Sequence, residues 1–423
     1  MKRNSIIDIA IIGGGAAGLM CGCVVGKESR ARLNTVIFER NSKTGRKLLA
    51  TGNGRCNLGN TASSEESYFL SGSSLSSELK ERLSFEYTKE LFGSLGLMIK
   101  TDSAGRAYPQ SGNASSVLDI LRNNIRKYGI DERTDEKVNS IKKSGGKFII
   151  VTQSGEYTAH CVIIACGGAA SPVFGSDGSG FELAKALGHT VTKPFPSLTP
   201  LSVNDDLRPI KGVRCDCEIK LQSGGETVAS ERGELQINEN SISGICVFNI
   251  SHYVNLAFSK GEKPPEIAID LLPDVNINKL KSFIIKAVFA SGDIPLDEVM
   301  TGIMNKKLAG FIIKRAASLS PAVRCSDVSK REIIAICNEI KSFKLTSKRS
   351  FDFTKAQVSG GGVRLDEVDL KNMSSKKAQG LYFAGEVLDV DAPCGGFNLQ
   401  WAWTTAEISA RSAVLRCLND KNK

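Results

Sequence analysis

The sequence is poor in the features that announce a metal centre. It has only three histidines, His160, His189 and His252, none spaced with thiols or carboxylates as ligands would be, so no metal site is expected. Its twelve cysteines include no C-x-x-C pair. Cys21 and Cys23, like Cys215 and Cys217, are separated by a single residue, which excludes a thioredoxin-type dithiol and zinc-finger spacing alike. No secretory cleavage pattern precedes the cysteines and no pairing scheme emerges from them. A reducing, cytoplasmic setting is therefore expected rather than a disulfide framework. Basic tails are lacking too: the net charge of +10 is spread along the chain rather than blocked, so no nucleic-acid partner is expected from the charge pattern. What is present is ordinary for a folded protein, with 41% hydrophobic and 24% charged residues over 423 positions. That length calls for two domains, with room for an inserted third.

The first apolar run, "SIIDIAIIGGGAAGLMCGCVVG" after Lys2 and Arg3, superficially suggests a signal or a membrane span. Asp8 interrupts it and glycines at 13, 14, 15, 18 and 22 punctuate it, which suits a strand, a tight turn and a helix, and no membrane association is expected. The strand Ile6 to Ile12 runs into Gly13-x-Gly15-x-x-Gly18, then a helix through about Val25. In such a turn the first glycine permits the bend, the second lets a pyrophosphate reach the backbone and the third lets helix and strand lie close. A second strand, "NTVIFER", delivers Glu39 twenty-one residues after Gly18, where a carboxylate accepts ribose hydroxyls. A dinucleotide site follows.

"KTGRKLLATGNGRCNLGN", residues 43–60, comes next, where a nicotinamide dehydrogenase would continue with helix and strand. We read it as an irregular loop, neither helix nor strand, whose Gly52, Gly54 and Cys56 interleave with the donors Arg46, Lys47, Asn53, Arg55 and Asn57. Such a loop suits a ligand longer than NAD, and FAD fits. Strands flanking the Gly145-Gly146 turn lead into an apolar strand from Cys161 to Cys166 and then Gly167-Gly168. Near the other end, "GLYFAGEVLDVD" reaches Gly385-Glu386, and Gly395 and Gly396 open a closing helix whose amides would face the pyrimidine side of a flavin. The two ends of the chain should converge on one cofactor.

With "GRKLLATGNGRCN", "VIIACGG" and "GEVLDVDAPCGGFNLQWAW" in place, the sequence resembles, over almost its whole length, the BaiN/YhiN family of bacterial NAD(P)/FAD-dependent oxidoreductases. That family includes 3-oxo-bile-acid reductases and aminoacetone oxidases. The resemblance implies FAD contacts at Gly13, Gly15, Ala16, Ala17, Glu39, Arg40, Lys47, Asn53, Arg55, Cys56 and Asn57, at the Val138 backbone, and at Ala165, Gly167, Glu386, Gly396, Asn398, Leu399 and Gln400; Gly18, Gly52, Gly385 and Gly395 join them from the residues alone. It also marks departures. Ile237-Asn238-Glu239-Asn240 stands where relatives carry a threonine-histidine pair, and Ala392-Pro393 where a glycine and a bulkier residue are usual, so the substrate does not transfer with the cofactor.

The expected architecture is α/β: a discontinuous Rossmann-like FAD-binding domain of the glutathione-reductase type (1–190 and 346–423), an inserted antiparallel β-barrel-like subdomain (191–275) and a small helical subdomain (276–345), the insert covering the flavin ring and shaping the substrate pocket. The glycine triplet at 360–362 reads as a turn. Cys394 and Asn398 are the candidates for catalysis, although packing is the simpler role for Cys394. The expected reaction, on the strength of the resemblance, is hydride transfer through FAD from transiently bound NADH or NADPH to a carbon–carbon double bond of a small-molecule enone. Amine oxidation is the alternative. A flavin-dependent RNA-modifying enzyme, which the positive charge would suit, and a non-enzymatic flavin redox sensor are the remaining rivals.

Overall fold

The computed structural model describes residues 6–70, 72, 74–350 and 352–421; Lys2 and Arg3 lie outside the described residues. The chain forms two compact units, one from Met1–Pro196 with Phe353–Lys423 and one from Ser197–Asp352.

The first unit begins with strand β1 (Ile7–Ile12), helix α1 (Ala16–Ser29) and strand β2 (Thr35–Phe38), both strands buried throughout. Helix α1 runs one turn past the expected end, and its small residues explain its depth. A methyl on Gly22 would press on Ile37 and Ile125, and one on Gly26 on Tyr128. An almost wholly buried helix needs no polar face. Residues 43–60 are more regular than the sequence suggested. Arg46–Ala50 form a short helix, α2, because Lys47, Leu48, Leu49 and Ala50 favour helix once Gly45 has turned the chain in and before Gly52 breaks it. Helix α3 (Ala114–Lys127) leads to β3 (Asp131–Arg133), then to the hairpin β4 (Val138–Ser144) and β5 (Lys147–Thr152) around Gly145-Gly146, and to β6 (Glu156–Ile164).

The expected boundary at 190/191 moves outward. Val191 bridges Val363, and Phe195–Ser197 pairs with Val358–Gly360. Gly360 is more than a turn residue here, since an added Cβ would lie 2.2 Å from the Phe195 ring.

The second unit is built on β7 (Leu201–Ser202), the long hairpin β8 (Arg214–Ser223) and β9 (Glu226–Ile237), β10 (Ser241–Ser243), helix α4 (Ile245–Lys260), β11 (Glu266–Asp270), helices α5 (Ile277–Ser291), α6 (Lys306–Ala317) and α7 (Lys330–Lys341), and β12 (Phe343–Leu345). Its strands run β7-β10-β9-β8-β11-β12, all antiparallel. The ends of that order meet: Val203 bridges Ser347, and the Lys348 amide donates to the Ser202 carbonyl at 2.7 Å. The sheet thus closes as a barrel, which removes its exposed edges. Closure needs β12, which follows the helices, and Leu280, Ile284, Ile312, Ile333 and Ile336 share one core with Ile219 and Leu235 of the sheet. The helical stretch is therefore part of the barrel unit rather than a separate body.

Back in the first unit, β13 (Leu381–Phe383) completes a parallel sheet in the order β13-β6-β1-β2-β3, with the β4-β5 hairpin attached antiparallel to β6. The closing helix α8 (Phe397–Lys421) packs along α1 and buries Trp401 and Trp403. No helix among the described residues is long and apolar enough to cross a membrane.

Candidate cofactor site

The carboxyl end of the parallel sheet gathers the motifs, as ligand sites in open α/β sheets do. Gly13 has φ +105, and a methyl there would stand 2.6 Å from the Ala165 carbonyl; one on Gly18 would stand 1.8 Å from the Gly13 carbonyl. Packing therefore explains both glycines. It does not explain Gly15, whose added Cβ meets nothing within 4 Å and whose φ of −82 suits any residue. The open space in front of Gly15 lies at the start of α1, which has neither a side-chain cap nor an acidic residue in its first turn. Amides left free in this way receive an anion, and the residues fit a pyrophosphate.

Glu39, buried at the end of β2, accepts from the Gly14 amide at 2.8 Å and from the Asn41 amide and side chain at 2.8 and 2.7 Å. The carboxylate thus steadies the glycine turn and keeps lone-pair capacity for a ribose hydroxyl. The Glu136 amide donates to the Glu39 carbonyl at 2.9 Å, which brings the segment leading to Val138 alongside. Replacing Glu39 with alanine should weaken FAD binding at least tenfold, the equivalent of about 1.5 kcal/mol or more for a lost charged acceptor. Fluorescence titration of the apo-protein with FAD measures it. Unchanged affinity would remove Glu39 from the site.

Three remote segments meet at Glu386. One oxygen pairs with Lys47 Nζ at 3.0 Å, and the other accepts from the Ser359 amide at 2.9 Å. Gly385, with φ +78, lies against Ala17 of the first α1 turn and donates its amide to Thr405 Oγ1. Ala16 belongs to that turn as well. Gly167, with φ +73, follows Ala165 beyond β6. Arg40 is salt-bridged to Asp177.

After α2, Gly52, Asn53, Gly54 and Cys56 all take left-handed φ angles between +54 and +80. The Cys56 side chain is buried, and burial pushes its thiol up to about 12, so it is no nucleophile at neutral pH. Arg55 stacks on Tyr108 with its guanidinium carbon 4.5 Å from the ring centroid. Asn57 Oδ1, in the loop after α2, is buried without a hydrogen-bond partner, an orphan acceptor. Buried acceptors are rarely left so, and a bound group with a donor would satisfy it.

The closing helix meets this loop at Gly395 and Gly396. The Gly395 carbonyl accepts from Asn60 Nδ2 at 3.0 Å, and an added Cβ on Gly396 would stand 2.6 Å from Asn57 Oδ1. Three of the expected contact positions follow in the first turn of α8. Both ends of the Asn398 amide are held by the Ala392 backbone, at 3.0 and 2.7 Å, so that side chain clamps a loop. Gln400, fully buried, receives the Asn60 amide at 2.9 Å and donates to the Leu83 carbonyl at 2.6 Å. Leu399 packs on the core around α1. These positions have backbone groups rather than free side chains to offer a ligand. Cys394 is half-buried and forms no disulfide.

Sequence reasoning missed Ser359, Thr405 and Trp403, whose Nε1 donates to the Leu58 carbonyl at 3.1 Å. Each acts on a segment distant in sequence, and no local pattern signals it. The segment 237–240 forms the turn into β10, with Glu239 paired to Lys211 and the Asn238 amide bonded to the Ser241 carbonyl.

Residues 7–412 match the model of the HI0933-like protein Rossmann domain family. The chain belongs to that family. It is 36% identical over 415 residues, 96% of this chain and 99% of the other, to a 3-dehydro-bile acid delta(4,6)-reductase of Clostridium scindens. It is also similar to ribosomal RNA dihydrouridine synthases of Haemophilus influenzae (27% identity, 95% of this chain and 97% of the other) and Escherichia coli (26%, 96% and 98%). With this family and this fold, the HI0933-like chain is an FAD-dependent oxidoreductase, and the BaiN-like resemblance of its motifs holds over nearly the full length. The residues fit that cofactor: open space beside uncapped amides at Gly15, a buried carboxylate at Glu39 with lone-pair capacity left, and an orphan acceptor at Asn57.

Proposed function

We propose that the protein is an NAD(P)H-dependent reductase of a carbon–carbon double bond conjugated to a carbonyl, acting on a small apolar substrate. The observation that carries this is the 36% identity across 96% of the chain to a reductase whose name specifies removal of such double bonds. The dihydrouridine synthases support the same reaction class, because converting uridine to dihydrouridine also saturates a double bond beside a carbonyl.

Bound FAD would supply the hydride chemistry. The chain's own residues hold and orient it. The α1 amides beside Gly15 receive the pyrophosphate, Glu39 the ribose, and Lys47 and Glu386 fix the intervening loops. The start of α8 at Gly395 and Gly396 presents the positive end of a helix dipole, where negative charge is favoured. NADH or NADPH binds transiently, since a single dinucleotide fingerprint is present in the sequence.

A second reading, uridine in RNA as the substrate, is favoured by the two ribosomal RNA relatives and by the net charge of +10. Anaerobic reduction of the FAD-loaded protein by NADH and NADPH, followed by a 3-keto-Δ4 steroid or unmodified ribosomal RNA, separates the two. Flavin reoxidation by the steroid, with a product two hydrogens heavier, is the expected result. Reoxidation by RNA with dihydrouridine in its digest would replace the substrate assignment. Reoxidation by neither would overturn the reductase reading.

A further inference from the structure

Two thiols of the barrel unit meet in a geometry that the flavin site does not use. On strand β8, Cys217 stands opposite Gly233 of β9. Gly244, with φ +120, turns the chain so sharply that an added Cβ would lie 2.1 Å from the Glu234 carbonyl, and this turn sets the start of α4 directly on β9. Cys246, the second residue of α4, then lies over Gly233. An ideal Cβ on that glycine would be 3.5 Å from Cys246 Cβ and 3.9 Å from its Sγ. The missing side chain at 233 is what lets Cys246 reach its neighbour across the strand pair. Its Sγ also donates to the Glu234 carbonyl at 3.5 Å.

We propose that Cys217 and Cys246 form a peroxide-responsive dithiol, a modification site in which hydrogen peroxide converts the pair to a disulfide. Both side chains are buried, which restricts the oxidant to a small uncharged molecule. The Cys246 thiolate attacks one peroxide oxygen, the O–O bond breaks, and hydroxide leaves, giving a sulfenic acid. Cys217 sulfur then attacks Cys246 Sγ, the S–O bond breaks, and the departing hydroxide takes the Cys217 proton. Two thiols and one peroxide yield one disulfide and two waters, with two electrons passing from sulfur to oxygen.

The roles are asymmetric. The Cys217 thiol hydrogen-bonds to Cys246, and the amides of the first α4 turn add to it, so the Cys246 thiol is held below its usual range while that of Cys217 is raised. The first unit contains a natural comparison. Cys161 and Cys417 lie 3.5 Å apart, Sγ to Sγ, also buried. Cys417 lies in the last turns of α8 rather than at a helix start, and its thiol is raised by Cys161 and by burial.

The test treats the full-length FAD-loaded protein with graded hydrogen peroxide, alkylates it in denaturant and maps the cysteines by mass spectrometry. A Cys217–Cys246 cross-linked peptide pair, reversible by dithiothreitol and formed at least tenfold faster than Cys161–Cys417, is the expected result. Cys246→Ser should abolish the cross-link, and Cys215→Ser, which changes the half-buried thiol two residues before Cys217 on the same strand face, should retain it. Recovery of Cys246 as an alkylated thiol after other cysteines have oxidised would overturn the proposal, as would earlier formation of Cys161–Cys417 or pairing of Cys246 with Cys215. The wild-type map decides even if a variant misfolds.

Discussion

Gly15→Ala should strip the protein of FAD while leaving its fold intact, and Gly18→Ala should destroy the fold itself. The two glycines lie three residues apart in one motif, yet their surroundings separate them. A methyl on Gly18 would stand 1.8 Å from the Gly13 carbonyl, a contact that only displacement of α1 from β1 relieves. Overpacking of a rigid core costs about 1–3 kcal/mol and more where backbone must move, so little folded protein is expected. A methyl on Gly15 meets no protein atom within 4 Å, and its backbone angles are ordinary. Apo-protein stability in urea should change by about 1 kcal/mol or less, the difference between glycine and alanine at a helix start. The flavin-to-protein absorbance ratio should nevertheless fall to near zero, because the methyl fills the space where the pyrophosphate meets the amides. A Gly15→Ala protein that purifies with a full complement of FAD would show that the phosphates bind elsewhere.

Gly396→Ala carries the second large effect. At φ +104 the residue sits where a side chain is strained, at about 1–3 kcal/mol. Its Cβ would also lie 2.4 Å from the Gly59 carbonyl and 2.6 Å from Asn57 Oδ1. Alanine is thus not a mild change at this position. It should both lower the thermal midpoint and displace the start of α8 from the wall formed by residues 57–60, with loss of bound flavin. Gly54→Ala is the matched comparison, since Gly54 also has a left-handed φ, +80, but an added Cβ there meets nothing within 4 Å. Thermal unfolding followed by flavin fluorescence should rank the wild type first, Gly54→Ala below it by the backbone strain alone, and Gly396→Ala far below both. Equal midpoints for the two variants would mean that α8 does not close the cofactor site through Gly396.

Much of the site was legible because its first half is local. The strand, the Gly13 to Gly18 turn and the following helix come from one uninterrupted segment. Glu39 lies at the end of the next strand, so period, glycine spacing and a single count locate the dinucleotide turn. The hairpin announced by Gly145-Gly146 was legible for the same reason. Where local preferences competed, reading failed: Lys47 to Ala50 formed a helix within a loop that looked irregular for its glycines and asparagines.

The sequence by itself determined the turn chemistry, the acidic residue that follows it and the alternation of strands, because backbone sterics and side-chain period act over a few residues. Only the tertiary structure decided that Lys47 meets Glu386, 339 positions away, that Gln400 is spent on Asn60 and Leu83, and that Val203 and Ser347 close the barrel. Those pairings depend on which surfaces the folded layers bring together. A carboxamide or an ammonium has the same local appearance whether it ends on a ligand, a carbonyl or a carboxylate, so its partner is set by packing and by the requirement that buried polar groups be satisfied.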